Sequence, residues 1–210
     1  MIRAFLIAAV VAVAGAYQAG SLTTAQRSAT VPVVTAGIDH SGTRIHLPRA
    51  KLLEVSGGIR PPHAVKSLLN VPGRIRYGEY VWDESGVADG PLWVFVDLTA
   101  QTMSVFRGNH EIGATVLLYG AEEMPTPTGR FTVLQMTKDH WSRTYDAPMP
   151  YSLWLTKDGV AIHGSDVRPG SATHGCLGVP PEFAKRLFAE ANIGAEVFVT
   201  RAPRLTASPA

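Results

Sequence analysis

Apolar and polar residues divide the chain into three textures. Residues 4–16 form one uncharged, almost wholly apolar run behind Arg3, and residues 17–70 show no sustained periodicity. That second stretch is broken at Val31-Pro32, Gly37, Ser41-Gly42, Leu47-Pro48, Ser56-Gly57-Gly58 and Pro61-Pro62. It reads as an extended spacer with one short helix around residues 63–69. After Pro91 the pattern tightens. Residues 92–98 (LWVFVDL) are dense in β-branched and aromatic side chains and predict a mostly buried strand. Residues 101–106 and 111–119 predict two more, joined by a hairpin-like turn at Arg107-Gly108-Asn109-His110. Further strands are expected at 131–136, 151–156, 160–163 and 196–200, with a turn at Lys157-Asp158-Gly159. One helix is expected over 181–191, where Ala184, Leu187, Phe188 and Ala191 share a face and prolines stand at the start. The fold class is mainly β, a sandwich-like domain with one or two helices. The expected organisation is a signal peptide (1–16), a basic Pro/Gly-rich spacer (17–78), a domain (79–200) and a tail (201–210).

Composition agrees with a core-forming domain plus an appendage: 210 residues, 46% hydrophobic and 17% charged, with 15 prolines and 20 glycines for turns. The N-terminal apolar run would rise only about 20 Å as a helix, short of a hydrocarbon core of roughly 30 Å. With Arg3 before it and Ala14-Gly15-Ala16 closing it, the run predicts a signal peptide and export to the periplasm or cell envelope. The net charge of +2 conceals an asymmetry, because residues 17–78 hold eight Lys/Arg against Asp39 and Glu54 alone. A solvated linker accounts for it, and the sharper reading is a weak attraction to membrane or wall polymer. Nucleic acid is a poor partner, since the basic residues are not interleaved with aromatics.

The chain has a single cysteine, Cys176, in the stretch ATHGCLGV. A lone thiol in an exported chain is buried and inert, paired with another molecule, or chemically active. An imidazole close by can take its proton, and two are near in sequence: His163 at the end of a predicted strand, and His174 in the loop with the thiol. Gly175 removes a side chain just before Cys176, freeing backbone N–H groups to act as oxyanion donors. Zinc bound by His163, His174 and Cys176 lacks paired spacing and a fourth ligand, so no metal is expected.

The segment IHGSDVRPGSATHGC resembles the signature of the L,D-transpeptidase catalytic domain: a His-Gly, a loop, then Ser/Thr-His-Gly-Cys. Upstream, VDLTAQTMSVFRG, PTPTGRFTV and APMPYSLWL are similar to that family's motifs in the same order, over about residues 91–200. The resemblance implies a cofactor-free envelope enzyme acting on peptidoglycan stem peptides. Cys176 would be its nucleophile, His163 its general base, and the Gly164 carbonyl the group orienting that base. His174 would support the loop, and the Gly175 backbone the oxyanion. Tyr151, Tyr145, Trp141 and Thr173 correspond to substrate-binding or lid positions. The implied reaction is acyl transfer from a tetrapeptide stem to a second stem's amine, a 3→3 cross-link. Trimming of the same stems by water and a catalytically silent peptidoglycan-binding domain are the alternatives. Two features depart from the family: Gly178 stands where Arg or Asn is usual, and the loop from His163 to Cys176 is short. No oligomeric state is implied.

Overall fold

A computed structural model describes residues 44–52 and 63–201. The expected signal peptide, much of the expected spacer and the tail after Arg201 lie outside the described residues. The chain forms strands β1 (Arg44–Leu52), β2 (Ala64–Leu69), β3 (Tyr80–Trp82), β4 (Leu92–Asp97), β5 (Thr102–Arg107) and β6 (His110–Val116). It continues with β7 (Gly129–Thr132), β8 (Gln135–Thr137), β9 (Trp141–Ser142), β10 (Ala147–Pro148) and β11 (Ser152–Trp154). Then come β12 (Ala161–Gly164), β13 (Leu177–Val179), helix α1 (Pro181–Glu190) and β14 (Glu196–Thr200).

The larger sheet has the order β1-β2-β6-β5-β4-β14-β7, with β3 also paired to β6. The smaller sheet runs β13-β12-β11-β8, and β9 and β10 form a separate two-stranded ribbon. Between the sheets lies one apolar core. Val94, Val96, Met103, Val105 and Ile112 come from the larger sheet, and Leu153, Ile162, Leu177 and Val179 from the smaller. Phe183, Ala184 and Leu187 of α1 close the same core, so the mainly β class with one helix stands as expected.

The strand expected over 131–136 is two strands, because the chain changes sheets in its middle. Val133 N–H donates to the Ala195 carbonyl beside the larger sheet, and the next residue, Leu134, donates to Trp154 in the smaller. Each strand is then short enough to escape the alternation rule.

The helix expected around residues 63–69 is instead strand β2. Val65, Ser67 and Leu69 are buried in alternation, which is the period of a strand. The reason is tertiary. The outer face of the larger sheet carries Trp93, Phe106 and Phe198, each 1% exposed, and Val65 completes that second cluster. The His63 ring stacks on Trp93 at 5.0 Å between centroids, and its Nε2 meets Glu196 at 2.6 Å. Arg44 of β1 donates to the Asp83 carbonyl at 2.7 Å and lies beside the Asp83 carboxylate. The C-terminal part of the expected spacer thus supplies two strands to the sheet.

Candidate active site

The site begins with a strand register. β12 and β13 are parallel neighbours, with Ile162 opposite Leu177, His163 opposite Gly178 and Gly164 opposite Val179. Ile162 and Leu177 have no exposed surface and point into the core, so alternation sends His163 and Gly178 to the other face. Cys176 immediately precedes β13, two residues before Gly178. Two sequence clusters thirteen residues apart are brought together by one parallel pairing.

His163 is buried, at 7% exposure. Its Nδ1 lies 2.9 Å from the Gly164 carbonyl, which accepts the ring proton and leaves the lone pair on Nε2. The Ser165 hydroxyl is 3.3 Å from the same nitrogen. Burial holds the His163 pKa below the usual imidazole value; the Gly164 carbonyl opposes that, and the charge of His140 adds to it. The ring is therefore neutral near pH 7. Gly164 itself is clamped. A Cβ there would stand 3.0 Å from Pro150 Cγ and 3.2 Å from Pro181 Cα, and its N–H donates to the Pro150 carbonyl at 2.8 Å.

Cys176 is half-buried, and its thiol points at the Gly159 carbonyl, 3.5 Å away. Burial pushes the thiol pKa up, while a hydrogen bond from the Ala161 backbone to sulfur acts the other way. Both shifts favour the neutral forms, thiol and imidazole. Gly175, at φ +103°, turns the chain in a conformation that suits glycine. Among the described residues, no acceptor takes the backbone N–H of Gly175 or Cys176. Thr173 ties the loop down: its hydroxyl donates to the Cys176 carbonyl, and its N–H donates to the Tyr119 carbonyl at 3.0 Å.

The remaining candidates separate. His174 is exposed and lies under the ring of Tyr145, centroids 4.2 Å apart. Tyr145 sits on the β9–β10 ribbon and directs its hydroxyl to Met124 Sδ at 3.6 Å. Trp141, 55% exposed, belongs to the same ribbon and donates to the Asp146 carboxylate at 3.0 Å. Tyr151 goes elsewhere: its ring packs edge-on to Phe188 of α1, from a backbone at φ +57° that is rare for an aromatic residue. Sequence reasoning passed over Ser165, Gly159, His140 and Met124. For Ser165 a signal existed, since it follows the His163-Gly164 pair directly. The other three come close only through folding. Among the described residues, no group of three or more His, Cys, Asp or Glu side chains is arranged to hold a metal ion.

The family model of the L,D-transpeptidase catalytic domain matches residues 91–199, a range that holds both sheets' central strands and the whole His163–Cys176 loop. The chain belongs to the L,D-transpeptidase catalytic domain family. Among solved structures, an L,D-transpeptidase from Stackebrandtia nassauensis is 27% identical with a TM-score of 0.50, over 55% of this chain and 58% of that one. One from Mycobacterium tuberculosis H37Rv is 20% identical with a TM-score of 0.49, over 52% of this chain and 57% of that one. A cysteine-to-serine mutant from Enterococcus faecium is 27% identical with a TM-score of 0.48, over 53% and 50% respectively. The matches span only about half to three fifths of those proteins' lengths. No curated protein matches the chain.

Proposed function

We propose that this protein is a cysteine-dependent L,D-transpeptidase of the cell envelope, acting on peptidoglycan stem peptides. The observation that supports the reading is the parallel β12–β13 register, which puts His163 opposite Gly178, two residues beyond Cys176. In the reaction, Cys176 turns from the Gly159 carbonyl toward His163, and Nε2 takes the thiol proton as sulfur attacks. The target is the carbonyl between the third and fourth residues of a tetrapeptide stem. The resulting oxyanion is met by the N–H groups of Gly175 and Cys176. His163 then returns the proton to the departing amine, releasing the terminal D-amino acid and leaving a thioester on Cys176. A second stem's side-chain amine attacks that thioester, gives a proton to His163 and forms the 3→3 link, while sulfur leaves and is reprotonated.

Starting from neutral groups suits this sequence, because proton transfer then accompanies attack and no buried ion pair has to persist. Thr173 and His174 serve as braces for the nucleophile loop. Tyr145 and Trp141, on the ribbon beside it, meet the stem. The test is incubation with tetrapeptide muropeptides, read by mass spectrometry against Cys176→Ala. Cross-linked dimers that vanish in the variant are expected. Tripeptides alone would replace transfer by hydrolysis, and products unchanged by the substitution would remove the enzyme reading.

A further inference from the structure

We propose that Ser165 is a positioning residue for His163, its hydroxyl acting as a second oxygen on Nδ1 from a slot that Gly178 leaves open. The proposal rests on His163 as the base.

Gly178 stands directly across from His163 in the register. A Cβ at position 178 would lie 2.8 Å from Ser165 Oγ, 2.9 Å from Ser165 Cβ and 3.4 Å from Thr173 Cγ2. Contacts under 3.0 Å are essentially never seen for a real Cβ, so a side chain at 178 would require Ser165 to shift away from its present place. The volume where Arg or Asn would begin is filled by a hydroxymethyl group from the neighbouring strand's continuation.

That group is not free to wander. Ser165 N–H donates to the Val179 carbonyl at 2.7 Å, which extends the β12–β13 pairing by one residue and fixes the Cα–Cβ direction. Oγ lies 3.3 Å from His163 Nδ1, while the Gly164 carbonyl is 2.9 Å from it. One N–H facing two oxygens is restrained in ring orientation and in tautomer. When the ring takes the thiol proton, its positive charge is shared with Nδ1–H, and both oxygens gain strength as acceptors. The titratable group whose charge bears on the ring is His140, which opposes protonation; in the proposed reaction the Cys176 thiol supplies the proton. Against burial and His140 stands the Gly164 carbonyl, and in this proposal the Ser165 hydroxyl joins it.

The test needs no peptidoglycan. Alkylation of Cys176 by iodoacetamide is followed from pH 4.5 to 10 in the full chain, giving an acid limb governed by the imidazole, a plateau, and a rise at the thiol pKa. In Ser165→Ala the acid limb is expected to fall by about half a pH unit and the plateau by about three-fold, the scale of one long hydrogen bond to a charged group. Ser165→Thr keeps the hydroxyl and should retain the wild-type profile. The double variant Ser165→Gly/Gly178→Ala relieves the steric conflict yet lacks the hydroxyl, so it should show the same shift as Ser165→Ala. An Ser165→Ala profile superimposable on wild type overturns the proposal, as does an equal shift in Ser165→Thr. A wild-type profile with no acid limb overturns His163 as base, and is recognised before any serine variant is compared.

Discussion

The ring of Tyr145 lies flat on His174, centroids 4.2 Å apart and planes 11° from parallel. The β9–β10 ribbon that carries Tyr145 has only two paired positions, Ala147 with Ser142 and Pro148 with Trp141. A ribbon that small is not stable by itself, and its position depends on what its side chains touch. The stack, worth about 0.5–1.5 kcal/mol, ties the ribbon to the loop that holds Cys176. Tyr145→Ala is expected to raise KM for a tetrapeptide stem about two- to ten-fold, with little change in the Cys176 alkylation profile. Tyr145→Phe should keep the wild-type KM. Steady-state kinetics on both variants decide the matter, and an unchanged KM in Tyr145→Ala would show that the stack does not serve binding.

His163 links stability to pH. Its folded pKa is lowered by burial, so the unfolded chain takes up the proton first as pH falls. Above about 6.5 both states are neutral and the ring contributes nothing; below it, stability declines until the folded ring also protonates. His110 shifts in the same direction, chiefly through burial, with Arg44, Lys66 and His46 adding to it. Between pH 7.5 and 5 the Tm of His163→Asn should therefore fall less, or rise more, than that of wild type. Thermal unfolding across that range measures the difference, which would be absent if the ring were solvated.

Glu111 behaves in the opposite sense. It is 6% exposed, and burial raises its pKa despite hydrogen bonds from Ser104 and the Leu69 N–H and the nearby charge of Arg44. The unfolded chain gives up this proton first as pH rises, so stability is fully present below about 4.5 and lost as pH climbs through the folded value. Glu111→Gln keeps an acceptor for Leu69 without the charge. A Tm gain of about 2–4 °C at pH 7, the effect of about 1 kcal/mol in a chain of this size, is expected to vanish near pH 4. Calorimetry at the two pH values checks it, and a loss at pH 7 would mean that the charge is needed by Arg44.

Val65 tests whether the N-terminal strands belong to the domain. It has no exposed surface and packs with Trp93, Phe106 and Phe198. Val65→Ala removes two buried carbon groups, about 1.6 kcal/mol at 0.8 kcal/mol each, before any cavity cost. Tm should drop by about 3–6 °C. A Tm indistinguishable from wild type would restore the reading of this stretch as a spacer.

Much of the fold was legible because some elements are locally over-determined. β4 reads as a strand from LWVFVD alone, since both of its faces are buried and every residue but the last is apolar. Helix α1 was legible for the same kind of reason, with prolines at its start and a 3.6-residue apolar period that survives in Ala184 and Leu187. Other elements could not be read. AVKSLL in β2 suits a helix or a strand, and only the aromatic face of Trp93 and Phe198 selects the strand. β13 is three residues long, too short to carry a period.

The same division runs through the site. The sequence by itself determined the chemical inventory: one thiol, two imidazoles and the glycine that turns the chain between His174 and Cys176. Those are properties of residue types and of neighbours along the chain. Tertiary structure alone decided that Tyr151 packs on Phe188 while Tyr145 covers His174, and that Ser165 fills the space beside Gly178. The physical reason is that side-chain direction in a sheet depends on register, and the register of two parallel strands is set by the whole core beneath them.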